Sequence, residues 1–121
     1  MLQQESVLKV ADNTGARAVK LITVLGHKPT ARLGNIVTGS VQGVLSGDSI
    51  ISDHEVVRAV VVRTRKEQSR DDGSYIRFDD NACVIVDAKG KPRGTRIFGP
   101  VAREVKSAGF TEVAAMASEV I

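Results

Sequence analysis

Tryptophan is absent from the 121 residues, tyrosine occurs once, phenylalanine three times, and a single cysteine, Cys83, stands alone. A lone thiol excludes an internal disulfide and a zinc site built on thiolates, and it fits a reducing compartment. The two histidines, His27 and His54, sit in polar loop sequence with no Cys or His at ligand spacing, so neither a metal nor another cofactor is expected. Long apolar runs are missing too: residues 82–86 and 113–117 are the longest, far short of the ~20 needed to span a membrane. The opening residues, Met1-Leu2-Gln3-Gln4-Glu5, carry neither the basic head nor the apolar stretch of a secretory signal, and no transit segment is visible. Tyr75, Phe78, Phe98 and Phe110 are scattered, with Phe78 and Phe98 reading as core anchors. That pattern argues against the base-stacking platforms used by single-strand binders.

What is plentiful is β-branching. There are 18 Val and 8 Ile against 6 Leu, with 7 Thr in addition, a bias that disfavours helix and suits a pleated surface. Period-two alternation marks a first strand at Leu8 and Val10, ended by the turn Asp12-Asn13-Thr14-Gly15. Further strands are expected over residues 18–25, then 36–45 between Gly34 and Gly47, and then 56–65. The last contains Ala59-Val60-Val61-Val62, apolar on both faces, and so reads as central. Asp72-Gly73 is the strongest hairpin signal, because Gly supplies the positive φ of a tight turn. It leads into Tyr75-Ile76-Arg77-Phe78 and then the run 82–86. The expected core is Val60, Val62, Ile76, Phe78, Val84 and Val86, with Val61 and Ile85 as the alternate inward set. Beyond Asp87 comes a loop with cations among turn residues. A short helix is expected from Pro100, with Val101, Val105 and Ala108 on one face and Gly109 as its stop. A second is expected from Thr111, with Val113, Met116, Ala117 and Val120 as its stripe. Short strands without long intervening helices indicate a mostly β fold, a small barrel, in a single domain over 1–121 whose segment 88–121 packs on it.

Charge is informative when mapped. Seventeen Lys+Arg against fourteen Asp+Glu give only +3. Yet residues 58–70 hold Arg58, Arg63, Arg65, Lys66 and Arg70 against one acid, Glu67. Residues 71–87 hold five aspartates against Arg77, and residues 89–103 hold Lys89, Lys91, Arg93, Arg96 and Arg103 with no acid. Two basic blocks flank an acidic one. Solvated loops are the bland account of such runs; the Gly and Pro within the second block favour surfaces facing phosphate. Catalytic patterns are weak. Asp71-Asp72 and Asp79-Asp80 fall at turns, where Asp is favoured for its own backbone hydrogen bonds. Gly34 and Gly39 have P-loop spacing, but Ser40 follows where Lys is required. No enzyme is expected. The reading left standing is recognition of folded RNA by shape, with Arg and Lys on glycine-rich loops reaching phosphates and 2′-hydroxyls.

Several long stretches, in order, resemble one family. They are Met1-Leu2-Gln3-Gln4-Glu5-Ser6, Lys9-Val10-Ala11-Asp12-Asn13-Thr14-Gly15-Ala16, Ala59-Val60-Val61-Val62, the run from Asp72-Gly73-Ser74-Tyr75 to Val84-Ile85, and Pro92-Arg93-Gly94-Thr95-Arg96-Ile97-Phe98-Gly99-Pro100. Together they resemble the large-subunit ribosomal protein family L-fourteen in its bacterial type, along the whole chain. The resemblance implies a closed five-stranded β-barrel with a protruding β-hairpin and short C-terminal helices. It implies a structural role, with binding to large-subunit rRNA and bridges to small-subunit rRNA. It also implies neighbours of the L-nineteen and L-three families, docking of the ribosomal silencing factor, and a cytoplasmic ribosome of bacterial or organellar origin. RNA contacts are expected from Arg63, Arg65, Lys66, Arg70, Lys89, Lys91, Arg93 and Arg96. Contacts to the silencing factor or a neighbouring subunit are expected from Thr95, Arg96 and Ala115. The hairpin tip, diluted by Glu67 and Asp71, and the loop 46–55 are less basic than is usual in the family, so weaker RNA contact is expected there. The rival reading is a free-standing RNA chaperone or regulator on the same barrel.

Overall fold

Valine-rich alternating sequence becomes a closed barrel in the computed structural model, which describes residues 2–26, 28–45 and 49–121; the expectations on Met1, His27 and Gly47 lie outside them. The strands are β1 (Val7–Val10), β2 (Ala16–Val24), β3 (Ile36–Val44), β4 (Val56–Arg63) and β7 (Ala82–Val86), with a two-stranded hairpin of β5 (Gln68–Ser69) and β6 (Tyr75–Ile76) between the last two. The barrel order is β1-β2-β3-β4-β7. All its pairings are antiparallel except the closing one, where β1 runs parallel to β7 with Lys9 opposite Ala82 and Val10 opposite Cys83. Two short helices follow, α1 (Arg103–Ser107) and α2 (Thr111–Met116).

Closure gives every strand an inner face, and one buried cluster draws Leu8, Val10, Val19, Leu21, Val37, Val41, Ala59, Val61, Cys83 and Ile85 from all five strands. Ile76 and Phe78, partly buried, pack against it. A second cluster lies on the outer face of β4 and β7. There Val60, Val62, Val84 and Val86 meet Ile97, Val101, Val105 and Val113. The C-terminal segment therefore covers what would otherwise be an exposed apolar patch, and β4 and β7 are buried on both sides. This corrects the expected core. Val61 and Ile85, the alternate set, face the barrel interior, while Val60, Val62, Val84 and Val86 lie under the C-terminal helices. Cys83 is fully buried among apolar side chains, and burial pushes its thiol well above the ordinary range.

Several boundaries differ from the expected ones for local reasons. The strand expected to run to residue 65 stops at Arg63, where the chain turns into the hairpin, and the run 75–78 is a strand only at Tyr75–Ile76. Pro100 does not begin a helix. Val101 forms a bridge to Val120, so this stretch is extended, and α1 starts only after Ala102. The same bridge removes Val120 from the stripe of α2, and Ala108 is exposed. Gly109 does stop α1, with φ +102°.

Gly39, in the middle of β3, has no room for a side chain: a Cβ there would overlap Val19 Cγ1 and the Lys20 carbonyl oxygen. Backbone and a fully buried valine cannot yield cheaply, so Gly39→Ala is expected to cost about 1–3 kcal/mol of stability, as overpacking does. The urea unfolding midpoint should fall with an unchanged slope.

Candidate nucleic-acid interface

The turn Asp12-Asn13-Thr14-Gly15 organises the basic loops. Asp12 is buried, and its two carboxylate oxygens divide their work. Oδ1 accepts from the Thr14 amide at 3.1 Å and the Thr14 hydroxyl at 2.6 Å, while Oδ2 accepts from the Ile85 amide of β7 at 3.0 Å. Burial raises its pKa above the ordinary value, against those hydrogen bonds and the field of Arg93. The residue ties the turn to β7. Asn13, next along, reaches across to the C-terminal loop. Its Oδ1 accepts from the Thr95 amide at 2.8 Å and the Arg96 amide at 3.0 Å, and its Nδ2 donates to the Thr95 hydroxyl at 2.8 Å. Gly94 is required beside it, since a Cβ would come within 2.7 Å of Asn13 Oδ1. Thr95 and Arg96 are thus presented on a pinned turn, both exposed.

Lys89 and Lys91 owe their position to Asp87. Its Oδ1 accepts from the Lys89 amide at 2.8 Å and the Lys91 amide at 3.0 Å, and the turn closes with the Asp87 amide donating to the Lys91 carbonyl at 2.9 Å. The Lys91 amide, above all, holds the Asp87 carboxyl below its ordinary range. Both lysine side chains are left in solvent, as phosphate binding requires. Arg93 is more committed: its Nη1 lies 3.1 Å from Glu55 Oε2 across to the loop before β4, and each side chain is about one-third exposed. Glu55 is lowered chiefly by the Ser52 amide and then by Arg93. Of the four expected cations here, Lys89 and Lys91 stand in solvent, Arg96 is exposed beside the Phe98 ring, and Arg93 is shared with Glu55.

The first basic block is divided differently. Arg63, expected among the phosphate-facing cations, has a side chain only 8% exposed. Nε and Nη2 face Asp80 at 2.9 and 3.4 Å, and Nη1 donates to the carbonyls of Phe98 and Pro100 at 2.9 and 3.1 Å. It fastens β4 to the acidic turn and to the loop after Arg96. Arg70 is similarly engaged, bidentate to Glu104 of α1 and donating to the Ile121 carbonyl at 2.7 Å, so it ties the hairpin to the C-terminal segment. Lys66 is exposed and lies 3.1 Å from its neighbour Glu67. Arg65 is exposed, with its backbone amide held by Asn81 Oδ1 at 2.8 Å. Beside it, Lys9 and Arg17 border a shallow depression with Asp79 and Asp80, and Arg77 flanks the cleft on the other side of the same acidic turn. Lys9, Arg17 and Arg77 were not singled out from sequence. Their cations are isolated in the chain, and only the barrel brings β1, β2 and the segment after β6 together around residues 79–80.

One aspartate of each acidic pair is engaged locally. Asp72 caps its own hairpin, accepting from the Ser74 amide at 3.0 Å and hydroxyl at 2.6 Å, which lowers its pKa, and Asp80 is matched to Arg63. Gly39 lies within a strand rather than in a phosphate loop. Among the described residues no group of three or more His, Cys, Asp or Glu is placed to hold a metal, and no helix is long and apolar enough to cross a membrane. Ala115 is exposed on α2. Phe98 is a second correction: it is 49% exposed rather than a core anchor, and the Arg96 guanidinium carbon stands 5.3 Å from its ring centre.

A family model described as ribosomal protein L14p/L23e matches residues 1–121.

Two outcomes follow from the hydrogen bonds of the loops. Asn13→Ala removes all three anchors of the 95–96 turn and should speed exchange of the Thr95 and Arg96 amides, whereas Asn13→Asp keeps an oxygen acceptor and should restore most of their protection. Asp87, lowered in the folded chain, stabilises its turn above its ordinary value of 3.8, and this is lost as pH falls through the lower folded value. The Lys89 and Lys91 amide resonances should therefore titrate together with a midpoint below 3.8.

Proposed function

The chain belongs to the L14p/L23e family of ribosomal proteins, a structural, rRNA-binding component of the large subunit, and from that premise we propose how its surface is used. The pinned loop 87–96 is the principal RNA-binding element. Lys89, Lys91 and Arg96 neutralise phosphates where rRNA helices crowd together, and Arg93 does so while shared with Glu55. The observation that carries this reading is the pair of backbone anchors under the loop, Asp87 at one end and Asn13 at the other. A cation on a fixed turn loses little conformational freedom on binding, and each phosphate it neutralises releases counterions. Arg65 and Lys66 add contacts at the base of the hairpin. Arg63 and Arg70, engaged inside the protein, act by holding the hairpin and the loop 96–100 in place.

The same exposed edge supports the finer expectations. Thr95 and Arg96 on their turn, with Ala115 on α2, form a protein-contact surface for the ribosomal silencing factor or a neighbouring subunit. The chain contributes to bridges with small-subunit rRNA and packs beside neighbours of the L-nineteen and L-three families on a bacterial-type cytoplasmic or organellar ribosome. Residues 1–121 act as one unit, with 88–121 serving both as a cover for the barrel and as the contact surface. The hairpin, with Lys66 paired to Glu67 at its base, contributes less to RNA binding than the 87–96 loop.

Sedimentation of a tagged copy from its own cells decides between an integral component and a dissociable chaperone. The chain should remain with the large subunit through a high-salt wash, and its release to the top of the gradient would overturn the reading. For the loop itself, Lys89→Ala with Lys91→Ala should lower the slope of log affinity against log salt by roughly one per lysine removed, measured by filter binding to large-subunit rRNA. The same pair of changes should leave the melting temperature unaltered, because both side chains lie in solvent.

A further inference from the structure

Phe98 is exposed by construction rather than by looseness. Its amide donates to the Ala11 carbonyl at 2.7 Å, and its carbonyl accepts from the buried Arg63. Gly99, at φ +83°, leaves no room for a Cβ against the same guanidinium. The main chain that carries the ring is thus clamped from both sides, and Arg96 stands over the ring at 5.3 Å. A fixed, half-exposed aromatic paired with a cation is costly to leave in water and well suited to stacking.

Beside it opens a cleft of about 630 Å³, within the range of small-ligand sites. Val10, Ala11 and Phe78 line it with apolar surface, while Lys9, Arg77 and Asp79 line it with charge. Asp80, also in the lining, is already matched by Arg63. The cleft thus offers a π face, two exposed cations and one exposed carboxylate. Those three features correspond to three parts of a nucleotide: the base plane, the phosphate, and a base N–H that can donate to the carboxylate.

We propose that this cleft receives one unstacked rRNA nucleotide. The base stacks on Phe98, one of its N–H groups donates to Asp79, and its phosphate lies against Lys9 and Arg77. The inference rests on the rRNA-binding reading above and assigns it a base-stacking subsite distinct from the phosphate-binding loop 87–96. Arg63 is the positioning residue of this subsite, acting through the carbonyls of Phe98 and Pro100.

Large subunits assembled with Phe98→p-azidophenylalanine and irradiated test the assignment directly. Capture of a single rRNA nucleotide is the expected result. Capture of a ribosomal protein, adducts spread over many nucleotides, or no adduct on fully incorporated chain would each overturn it. A chain that fails to enter large subunits even as wild type would instead overturn the function reading. In subunits carrying Phe98→Leu, which keeps an apolar side chain but removes the π face, the captured base should become about fivefold more reactive to base-modifying reagents. Unchanged reactivity throughout the rRNA would count against stacking.

Discussion

The barrel closes on a short seam, and much of the functional surface depends on how that seam is completed. β1 and β7 share only two residue pairs in parallel. Parallel pairing is the less stable kind per residue, and a two-pair ladder is a weak closure. The chain extends it on both sides with amides from Lys9 and Ala11 to the carbonyls of Asn81 and Cys83, and then with a side chain. Where the ladder would next require a backbone acceptor for Ile85, Asp12 supplies a carboxylate oxygen. A carboxylate is a stronger acceptor than a carbonyl, and its second oxygen anchors Thr14 at the same time. Burial raises the pKa of that carboxyl, so the group works against its own desolvation. Its role is tolerable because both of its oxygens have hydrogen-bond donors.

From this closure the outer geometry follows. With Asp12 fixed, Asn13 is aimed at residues 95–96, and the C-terminal segment must cross the outer face of β4 and β7 to meet it. That crossing covers Val60, Val62, Val84 and Val86, which explains why two strands are apolar on both faces in a barrel of only five. Arg63, at the end of β4, then finds Phe98 and Pro100 above it and Asp80 beside it. A buried guanidinium of this kind is tolerable only when its donors are filled, and here the carboxylate and two carbonyls fill them. The basic loop, the exposed Thr95–Arg96 turn and the Phe98 ring are therefore held by the same residues that stabilise the barrel. The exposed basic loop and its neighbours are a consequence of closure, not an appendage to it.

Sequence alone carries the β class, the strand positions and the hairpin at Asp72-Gly73, because alternation, β-branching and turn chemistry are local signals. It also marks residues 87–96 as a loop, since Gly and Pro among cations are turn chemistry. What it cannot carry is which face of a doubly apolar strand points inward. Val60 and Val61 are chemically equivalent, and the answer lies in a segment 40 residues later that covers one of them. The same limit separates Arg63 from Arg65. Both belong to one basic run, yet one faces a carboxylate and two carbonyls from distant loops and the other faces solvent. Phe98 was misread for the converse reason: aromatic residues are usually buried, and only the clamp on its main chain explains why this one is not. Pro100 has the local character of a helix start, but the bridge between Val101 and Val120 holds the backbone extended there.

Net charge is a poor guide to RNA affinity in a protein built this way. A formal charge of +3 looks low for a chain surrounded by phosphate, but the acids are not spread evenly over the cations. Asp80 is directed at Arg63 and Glu104 at Arg70, cations already turned inward, and Asp12, Asp72 and Asp87 are engaged with amides or hydroxyls of their own turns. Carboxylates used in that way present less of their field to an approaching polyanion than free ones would, since opposite charge or backbone dipoles lie beside them. Lys9, Arg17, Arg65, Arg77, Lys89, Lys91 and Arg96 remain exposed. The potential that an RNA backbone meets is governed by these nearby cations, because beyond a Debye length of about 8 Å the remaining charges are screened. The acidic block between the two basic ones is therefore compatible with RNA binding: much of it braces the turns and clamps that hold the cations in place.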